Sequence, residues 1–337
     1  MCAMKAVVCP RYGPPEVLEI REVSDPIPRD AELLIRVHAT TVTSGDARVR
    51  ALRMPSPVFS LIGRLALGMR GPRRAVLGTE LAGVVEQVGA RVTKFRIGDP
   101  VVAFVGVRFG AHAELVCVPE AAPVVRKPER LSYEEAVAIP FGAMTALYFL
   151  RDLAAVKPGQ RVLVVGASGA VGVAAVQLAV HLGAEVDGVC STTKVELVRS
   201  LGARRVFDYS TGDFTQSAAG YDVVLDTVGV TALAKCRRTL KPTGKFLAVV
   251  LTGTELWELV STRLIGGQRV LSGVAPERLT DLQYVMGLAE SGQLKPIIDQ
   301  HYSMREIVAA HRRVDTGRKV GAVVVSMNER EFSGVRH

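Results

Sequence analysis

The sequence predicts an α/β protein in two parts: a mostly β region of many short strands, and a doubly wound parallel sheet covered by helices on both faces. Three observations carry this. Short β-branched runs separated by Gly and Pro clusters fill residues 1–125. Strand and helix patterns then alternate as far as Gly292. Near the head of the alternating part lies Lys157–Cys190, KPGQRVLVVGASGAVGVAAVQLAVHLGAEVDGVC, which reads as strand, glycine turn, helix and second strand.

Taken in order, Met4–Cys9, Val17–Val23 and Glu32–Ala39 are short strands, with Asp25–Asp30 the turn before the third. In Thr40–Arg50 (TTVTSGDARVR), Thr43 or Ser44 can cap a short helix, and Asp46 and Arg50 are spaced for an exposed ion pair. Ala51–Ala75 mixes bulky apolar residues with five arginines between Arg53 and Arg74. It is a flap lining an apolar substrate mouth, a membrane-surface helix, or a surface insertion packed on its own domain. Gly78–Val88, Pro100–Phe104 and Ala113–Pro119 continue the strands, which suggests a partly open barrel. Pro123–Pro128 reads as the crossover. Ser132 then caps a helix with Glu134 and Glu135 in its first turn, and a second helix runs from near Gly142 to Leu153.

Arg161–Val165 (RVLVV) is a buried strand after a Pro158-Gly159 turn. Gly166, Gly169 and Gly172 follow, three apart, and Gly183 stops the helix after them. One glycine turns the chain out of the strand, one lets backbone approach a pyrophosphate, and one lets the helix pack on the sheet. The N–H groups opening the helix face the phosphates, so Gly166, Ser168, Gly169, Ala170, Val171 and Gly172 are candidate cofactor residues. An NAD site places an acid at the end of the second strand. Here that end reads Val189-Cys190-Ser191-Thr192-Thr193-Lys194, and Asp187 lies too early to reach the ribose. The hydroxyls after Cys190, with Ser191 first, and Lys194 suit a 2′-phosphate, so NADPH (NADP+) is the expected cofactor and Cys190, Ser191 and Lys194 are candidate cofactor residues.

Beyond it come a helix (Lys194–Leu201), strands Arg205–Asp208 and Asp222–Leu225, a helix (Ala232–Leu240), strands Lys245–Val250 and Arg269–Gly273, and a closing helix, Thr280–Gly292. The tail holds a helix, Met304–Asp315, and a strand, Gly321–Val325 (GAVVV), expected to return to the β part. The domains are therefore expected at 1–124 with 296–337, and at 125–295.

Composition narrows the function classes. The chain has 337 residues, 48% hydrophobic and 22% charged, an ordinary soluble balance. Net charge is +9, but the basic residues are scattered apart from clusters at Arg70–Arg74 and Arg312–Lys319, and no nucleic-acid motif is present. No nucleic-acid partner is expected, and an anionic cofactor accounts for part of the excess. Five isolated cysteines fit a reducing cytoplasm. MCAMKAVVCPRYG carries no long apolar run, so neither a signal peptide nor stable membrane insertion is expected.

Three stretches carry a family likeness: YGPPEVLEI near the start, GTELAGVVEQVGARVTKFRIGDPV in the middle, and GQRVLVVGASGAVGVAAVQLAV from Gly159 to Val180. In them the chain resembles the medium-chain dehydrogenase/reductase superfamily, and within it the zinc-free quinone oxidoreductase (zeta-crystallin-like) branch. Ala170 and Val180 depart from the branch, which usually has glycine and a basic residue there. The resemblance implies a GroES-like catalytic domain joined to a Rossmann domain, an active site in the cleft between them, and a homodimer. It places Thr145 beside the nicotinamide and Tyr209 near the adenosine phosphate. Thr227 and the Val250, Leu251, Thr252 run fall at strand ends on the cofactor edge.

The three catalytic zinc ligands of alcohol-dehydrogenase relatives fall at Thr43, Thr79 and Phe141, which cannot replace thiolate and imidazole. The six histidines have no ligand spacing and read as surface or locally bonded side chains, so no metal is expected. Without a Lewis acid, reduction rests on positioning and on the cofactor's hydride chemistry. That suits a small-molecule quinone or enone, whose conjugation spreads the incoming charge. Thr43, Thr41 and Tyr12 are the candidate catalytic donors, by analogy with the branch. Two rivals stand beside this: a zinc-free carbonyl or alcohol dehydrogenase, and a non-catalytic NADPH-binding scaffold on membrane or RNA.

Overall fold

Apolar alternation broken by Gly and Pro gives the first part of the chain β1 (Ala3–Val8), β2 (Glu19–Ser24), β3 (Glu32–Thr41), α1 (Ser44–Ala51), β4 (Glu80–Val88), β5 (Pro100–Phe104), β6 (Leu115–Pro119) and β7 (Val124–Arg126). Next come α2 (Tyr133–Val137), α3 (Pro140–Leu147), β8 (Arg161–Val165), α4 (Ala170–His181), β9 (Glu185–Cys190), α5 (Val195–Ser200), β10 (Arg205–Asp208) and α6 (Phe214–Ser217). The last elements are β11 (Tyr221–Asp226), α7 (Leu233–Cys236), β12 (Leu240–Ala248), β13 (Arg269–Leu271), α8 (Leu279–Glu290), β14 (Ile298–Ser303), α9 (Ile307–Asp315) and β15 (Ala322–Ser326). This computed structural model describes residues 3–53, 63–65, 67–251, 258–259, 261–262 and 267–327.

The chain divides into two compact units, Met1–Phe141 with Glu277–His337, and Gly142–Pro276. These limits differ from the boundaries read from the sequence, because packing decides where two helices belong. The first, α2, lies on β3 and β4 of the first unit. The second, α8, packs on β7 and buries Leu282, Val285, Met286 and Ala289, so it closes the first unit, not the second.

In the first unit a seven-stranded sheet runs β14-β15-β3-β4-β5-β7, with β6 also on β3. One edge of β3 is shared: β6 covers Glu32–Arg36 and β15 covers Ala39–Thr41. Only the β14–β15 pairing is parallel in this sheet. Its core is aliphatic, with Leu33, Ile35, Leu81, Val85, Val101 and Val323 buried together.

The second unit is a six-stranded, all-parallel sheet in the order β10-β9-β8-β11-β12-β13. The chain winds outward from β8 to β10, then restarts at β11 and winds the other way. The switch therefore falls between β8 and β11, and ligands bind outside the carboxyl ends of strands at such a point. Residues Val171–Ala179 of α4 are buried, which fits a helix that is apolar on every side. Among the described residues one helical stretch, Tyr133–Leu153, is long and apolar enough to cross a membrane, but 61% of its most apolar window is buried in the protein.

Candidate functional site

At the carboxyl end of β8 the chain turns through Gly166 at φ +76°, a left-handed conformation that favours glycine. Gly169 is the N-cap of α4 and offers no side-chain cap. The first intrahelical bond runs from the Val173 N–H to the Gly169 carbonyl at 2.8 Å, so the N–H groups of Ala170, Val171 and Gly172 precede the ladder and face outward along the axis. A Cβ on Gly172 would lie 2.1 Å from the Gly166 carbonyl oxygen. The helix start therefore sits against the loop only because that position has no side chain. This cradle fits a dinucleotide pyrophosphate. Gly172→Ala is expected to push α4 off the loop and weaken binding of a nicotinamide dinucleotide more than tenfold, read by fluorescence titration of the cofactor. Overpacking of this kind costs about 1–3 kcal/mol, and tenfold is about 1.4 kcal/mol.

The second unit places further expected residues beside this loop. The Thr227 hydroxyl donates to the Val165 carbonyl at 2.9 Å, which pins the end of β11 to the end of β8. Gly142 of α3 is so close to the loop that a Cβ there would meet the Ala170 carbonyl oxygen at 2.4 Å, and Thr145 stands one turn further along that helix. Val250 lies against Gly229, whose added Cβ would meet Val250 Cβ at 3.1 Å. Leu251 follows Val250, and Thr252 lies outside the described residues.

At the ends of β9 and β10 the structure gathers Cys190, Ser191, Lys194 and Tyr209. Tyr209 is 59% exposed, and its N–H donates to the Cys190 carbonyl at 3.1 Å. Burial pushes the Cys190 thiol up to about 11. Asp187 is 1% exposed, accepts from the Tyr221 hydroxyl at 2.5 Å and Arg205 at 3.0 Å, and so is a structural clamp. Two acids were missed from the sequence. Asp208 pairs in register with Cys190, so the neighbouring strand brings a carboxylate to the end of β9. It accepts from the Thr192 hydroxyl at 2.5 Å and the Ser210 N–H at 2.8 Å, and these bonds hold its carboxyl below the ordinary value. Asp226 accepts N–H bonds from Val228, Gly229, Val230 and Thr231 at 2.8–3.0 Å and shapes the loop after β11. Burial nevertheless pushes its carboxyl up.

In the first unit a second cluster forms where β3 ends and β4 begins. Thr43 caps α1: its hydroxyl donates to Asp46 at 2.6 Å and accepts from the Asp46 N–H at 3.1 Å. Asp46 also accepts from the Gly78 N–H at 3.0 Å, and it is fully buried. The Thr41 hydroxyl makes a short bond to Glu80, whose other oxygen accepts from the Phe141 N–H at 2.6 Å. Glu80 is 2% exposed, and burial pushes its carboxyl up to about 8. The Tyr12 hydroxyl donates to the Gly68 carbonyl at 2.8 Å. All three expected donors thus spend their protons on internal acceptors.

Other expectations are corrected here. Asp46 and Arg50 do not form an exposed pair: Arg50 is fully buried and bonds Asp315 at 2.6 Å. The helical spacing was right, but a partner from α9 wins the guanidinium. His112 is a bonded side chain, its Nε2 2.9 Å from the Thr41 carbonyl. His311 is neither surface nor bonded: it is fully buried, edge to face with His112 at 5.9 Å, and among the described residues neither of its own ring nitrogens has a hydrogen-bond partner. Much of the Arg53–Arg74 segment, residues 54–62 and 66, lies outside the described residues.

Residues 29–129 match the family described as Alcohol dehydrogenase GroES-like domain, and residues 201–325 the one described as Zinc-binding dehydrogenase. The chain is 38% identical over 275 residues to pikromycin polyketide synthase component PikAII of Streptomyces venezuelae, which covers 78% of this chain. It spans only 5–12% of the length of three polyketide synthase proteins that it matches. It is 32% identical over 334 residues to 2-methylene-furan-3-one reductase of Solanum lycopersicum, covering 96% of this chain and 79% of that protein. Its fold matches the quinone oxidoreductase from Coxiella burnetii at a TM-score of 0.85 and 28% identity, over 97% of this chain and 100% of that one. The residues do not fit the ion that the second family description names. The Thr43 hydroxyl is held in a cap, Phe141 offers a hydrocarbon ring, and among the described residues no three His, Cys, Asp or Glu side chains gather to hold a metal.

Proposed function

The chain belongs to the medium-chain dehydrogenase/reductase superfamily, in its zinc-free quinone oxidoreductase branch, and on that premise we propose that it is an NADPH-dependent oxidoreductase reducing quinones or activated C=C bonds by direct hydride transfer. The observation that carries the cofactor is the uncapped start of α4 against a loop that tolerates no Cβ at Gly172. When bound, the reduced nicotinamide supplies the hydride. The chain's own residues hold and orient. Backbone N–H groups from Ala170 to Gly172 take the pyrophosphate, Thr227 fixes the strand end beneath it, and Thr145 stands along α3 for the nicotinamide end.

Since Thr41, Thr43 and Tyr12 each donate inward, solvent is the proposed source of the proton that completes reduction. With Thr43, Thr79 and Phe141 where the zinc ligands of relatives fall, those positions cannot hold a metal to polarise an isolated carbonyl, which favours a substrate that carries its own electron sink, as quinones and enones do. The reading is tested by following NADPH oxidation with a quinone, an α,β-unsaturated ketone and a saturated ketone. Turnover of the first two is expected; turnover of the saturated ketone alone would overturn it.

Cofactor choice turns on one strand end. Ser191, Lys194 and Tyr209 are proposed to take the 2′-phosphate, and Lys194 has to offset the nearby Asp208 carboxylate. A charge-assisted hydrogen bond contributes about 1.5–3 kcal/mol, roughly ten- to a hundred-fold in affinity. Lys194→Ala is therefore expected to lower kcat/KM for NADPH by that factor and leave NADH nearly unchanged. If the wild type prefers NADH, Asp208 is the ribose-binding acid and the phosphate assignment is wrong.

A further inference from the structure

We propose that a recess on the outside of the first unit binds an amphipathic organic anion, a carboxylate or phosphate head on an apolar chain. The recess holds about 370 Å³, within the roughly 300–1,000 Å³ of small-molecule sites. Three arginines line it: Arg29 before β3, Arg74 before β4, and Arg108 in the turn after β5. Among the described residues none of their guanidinium groups has an ion pair or a hydrogen bond. Several other exposed arginines of the same unit are paired, as in Arg36–Glu86, Arg126–Asp99 and Arg312–Glu16. The recess has a single acid, Glu32, and its carboxylate already accepts the Arg29 backbone N–H at 3.0 Å. Three guanidinium groups therefore face one occupied carboxylate.

The rest of the lining is apolar. Val105 and Val118 are 2% and 1% exposed, while Ile27 is 87% exposed, so apolar surface runs from the buried side of the recess to its rim. A lone exposed isoleucine needs no explanation. One that continues a buried apolar lining between unpaired cations does. The wall is also fixed in place. Phe109 lies at φ +54°, an unusual conformation for a bulky residue. Its turn is tied down by Val105 and Gly106 N–H bonds to the Thr79 carbonyl at 2.8 and 2.9 Å. Cations on a rigid apolar recess select a ligand with both characters. An inorganic anion would leave the apolar lining wet, and an alcohol would leave the guanidinium groups unpaired.

The test is calorimetric titration of the full chain with monomeric decanoate, decyl phosphate, decanol and inorganic phosphate. Decanoate or decyl phosphate is expected to saturate one site, with the tighter of the two identifying the head. Decanol and inorganic phosphate are expected to bind at least tenfold more weakly. Arg74→Ala and Arg108→Ala should each weaken the amphipathic anion by about tenfold, a charge-assisted contact apiece, and added salt should weaken it further. All three arginines are exposed, so these variants should unfold at the wild-type temperature. Unchanged affinity in the Arg29→Ala/Arg74→Ala/Arg108→Ala variant would overturn the proposal. So would equal binding of decanol, or binding to anionic phospholipid vesicles with none to the monomeric ligands.

Discussion

Asp315→Ala is expected to lower the thermal midpoint by about 10 °C or more, and Arg50→Met by much less. The Arg50 side chain has no exposure, Nη2 meets Asp315 at 2.6 Å, and Nε and Nη1 are buried without a partner. Removing Asp315 leaves that charge buried with no counter-ion in contact. Breaking a buried pair this way costs about 3–5 kcal/mol, and a unit of this size loses about 2–4 °C per kcal/mol. Removing Arg50 instead leaves Asp315, which is 15% exposed and has Arg53 at 3.7 Å. Methionine refills much of the volume without a charge. Scanning calorimetry of both variants checks the order. Equal losses, or a larger loss for Arg50→Met, would rule out the buried guanidinium as the source of the cost.

Glu80→Gln is expected to stabilise the protein by about 3 kcal/mol at pH 7 and by less than about 1 kcal/mol at pH 5. Burial raises the Glu80 carboxyl from 4.5 to about 8. Between those values the folded chain keeps a proton that the unfolded chain releases. Stability therefore falls as pH rises through that window, by about 1.4 kcal/mol per pH unit. His311 runs the other way. Burial, with His112 and Arg50 nearby, holds its imidazole well below 6.5. The stability from keeping it neutral is full above pH 6.5 and is lost as pH falls below that. The two slopes oppose each other just below pH 6.5, so the wild type should change less there than above it. The Gln variant, without the Glu80 slope, should lose stability toward acid through His311. Denaturant unfolding from pH 5 to 8 reads both slopes, and a variant parallel to the wild type throughout would show that Glu80 is ionised when folded.

The glycine loop was legible because its demands are local: a left-handed turn at Gly166 and a missing Cβ at Gly172 admit few residues. The Ser132 cap, closed by Glu135, was legible for the same reason. What was hidden comes from elsewhere in the chain. Asp208 reaches the end of β9 only through strand pairing, and nothing in Cys190–Lys194 announces it. Arg50 has an acid four residues earlier, yet its partner stands 265 residues away. The helix Leu279–Glu290 continues the strand-helix alternation in sequence, so only its packing on β7 shows that it belongs to the first unit. The hydroxyls of Thr41 and Thr43 look like free donors in the sequence; Glu80, which takes the Thr41 proton, is brought there by the pairing of β4 with β3, and Asp46, which takes that of Thr43, by the capping box of α1.

The shared edge of β3 has a consequence for biosynthesis. Its Ala39–Thr41 stretch pairs with β15, and Val42 donates its N–H to Val323 at 2.9 Å. Those partners are among the last described residues a ribosome would make. At about 5–20 residues per second, β3 waits about 15 to 55 seconds for them. The second unit, unbroken from Gly142 to Pro276, can close during that interval. The nascent first unit meanwhile exposes backbone donors and acceptors beside Thr41, an edge on which another chain can pair. Ribosome-bound intermediates stalled before Ala322 should therefore fold the second unit, recruit chaperones to the β unit, and gain a protected Val42 amide only on release.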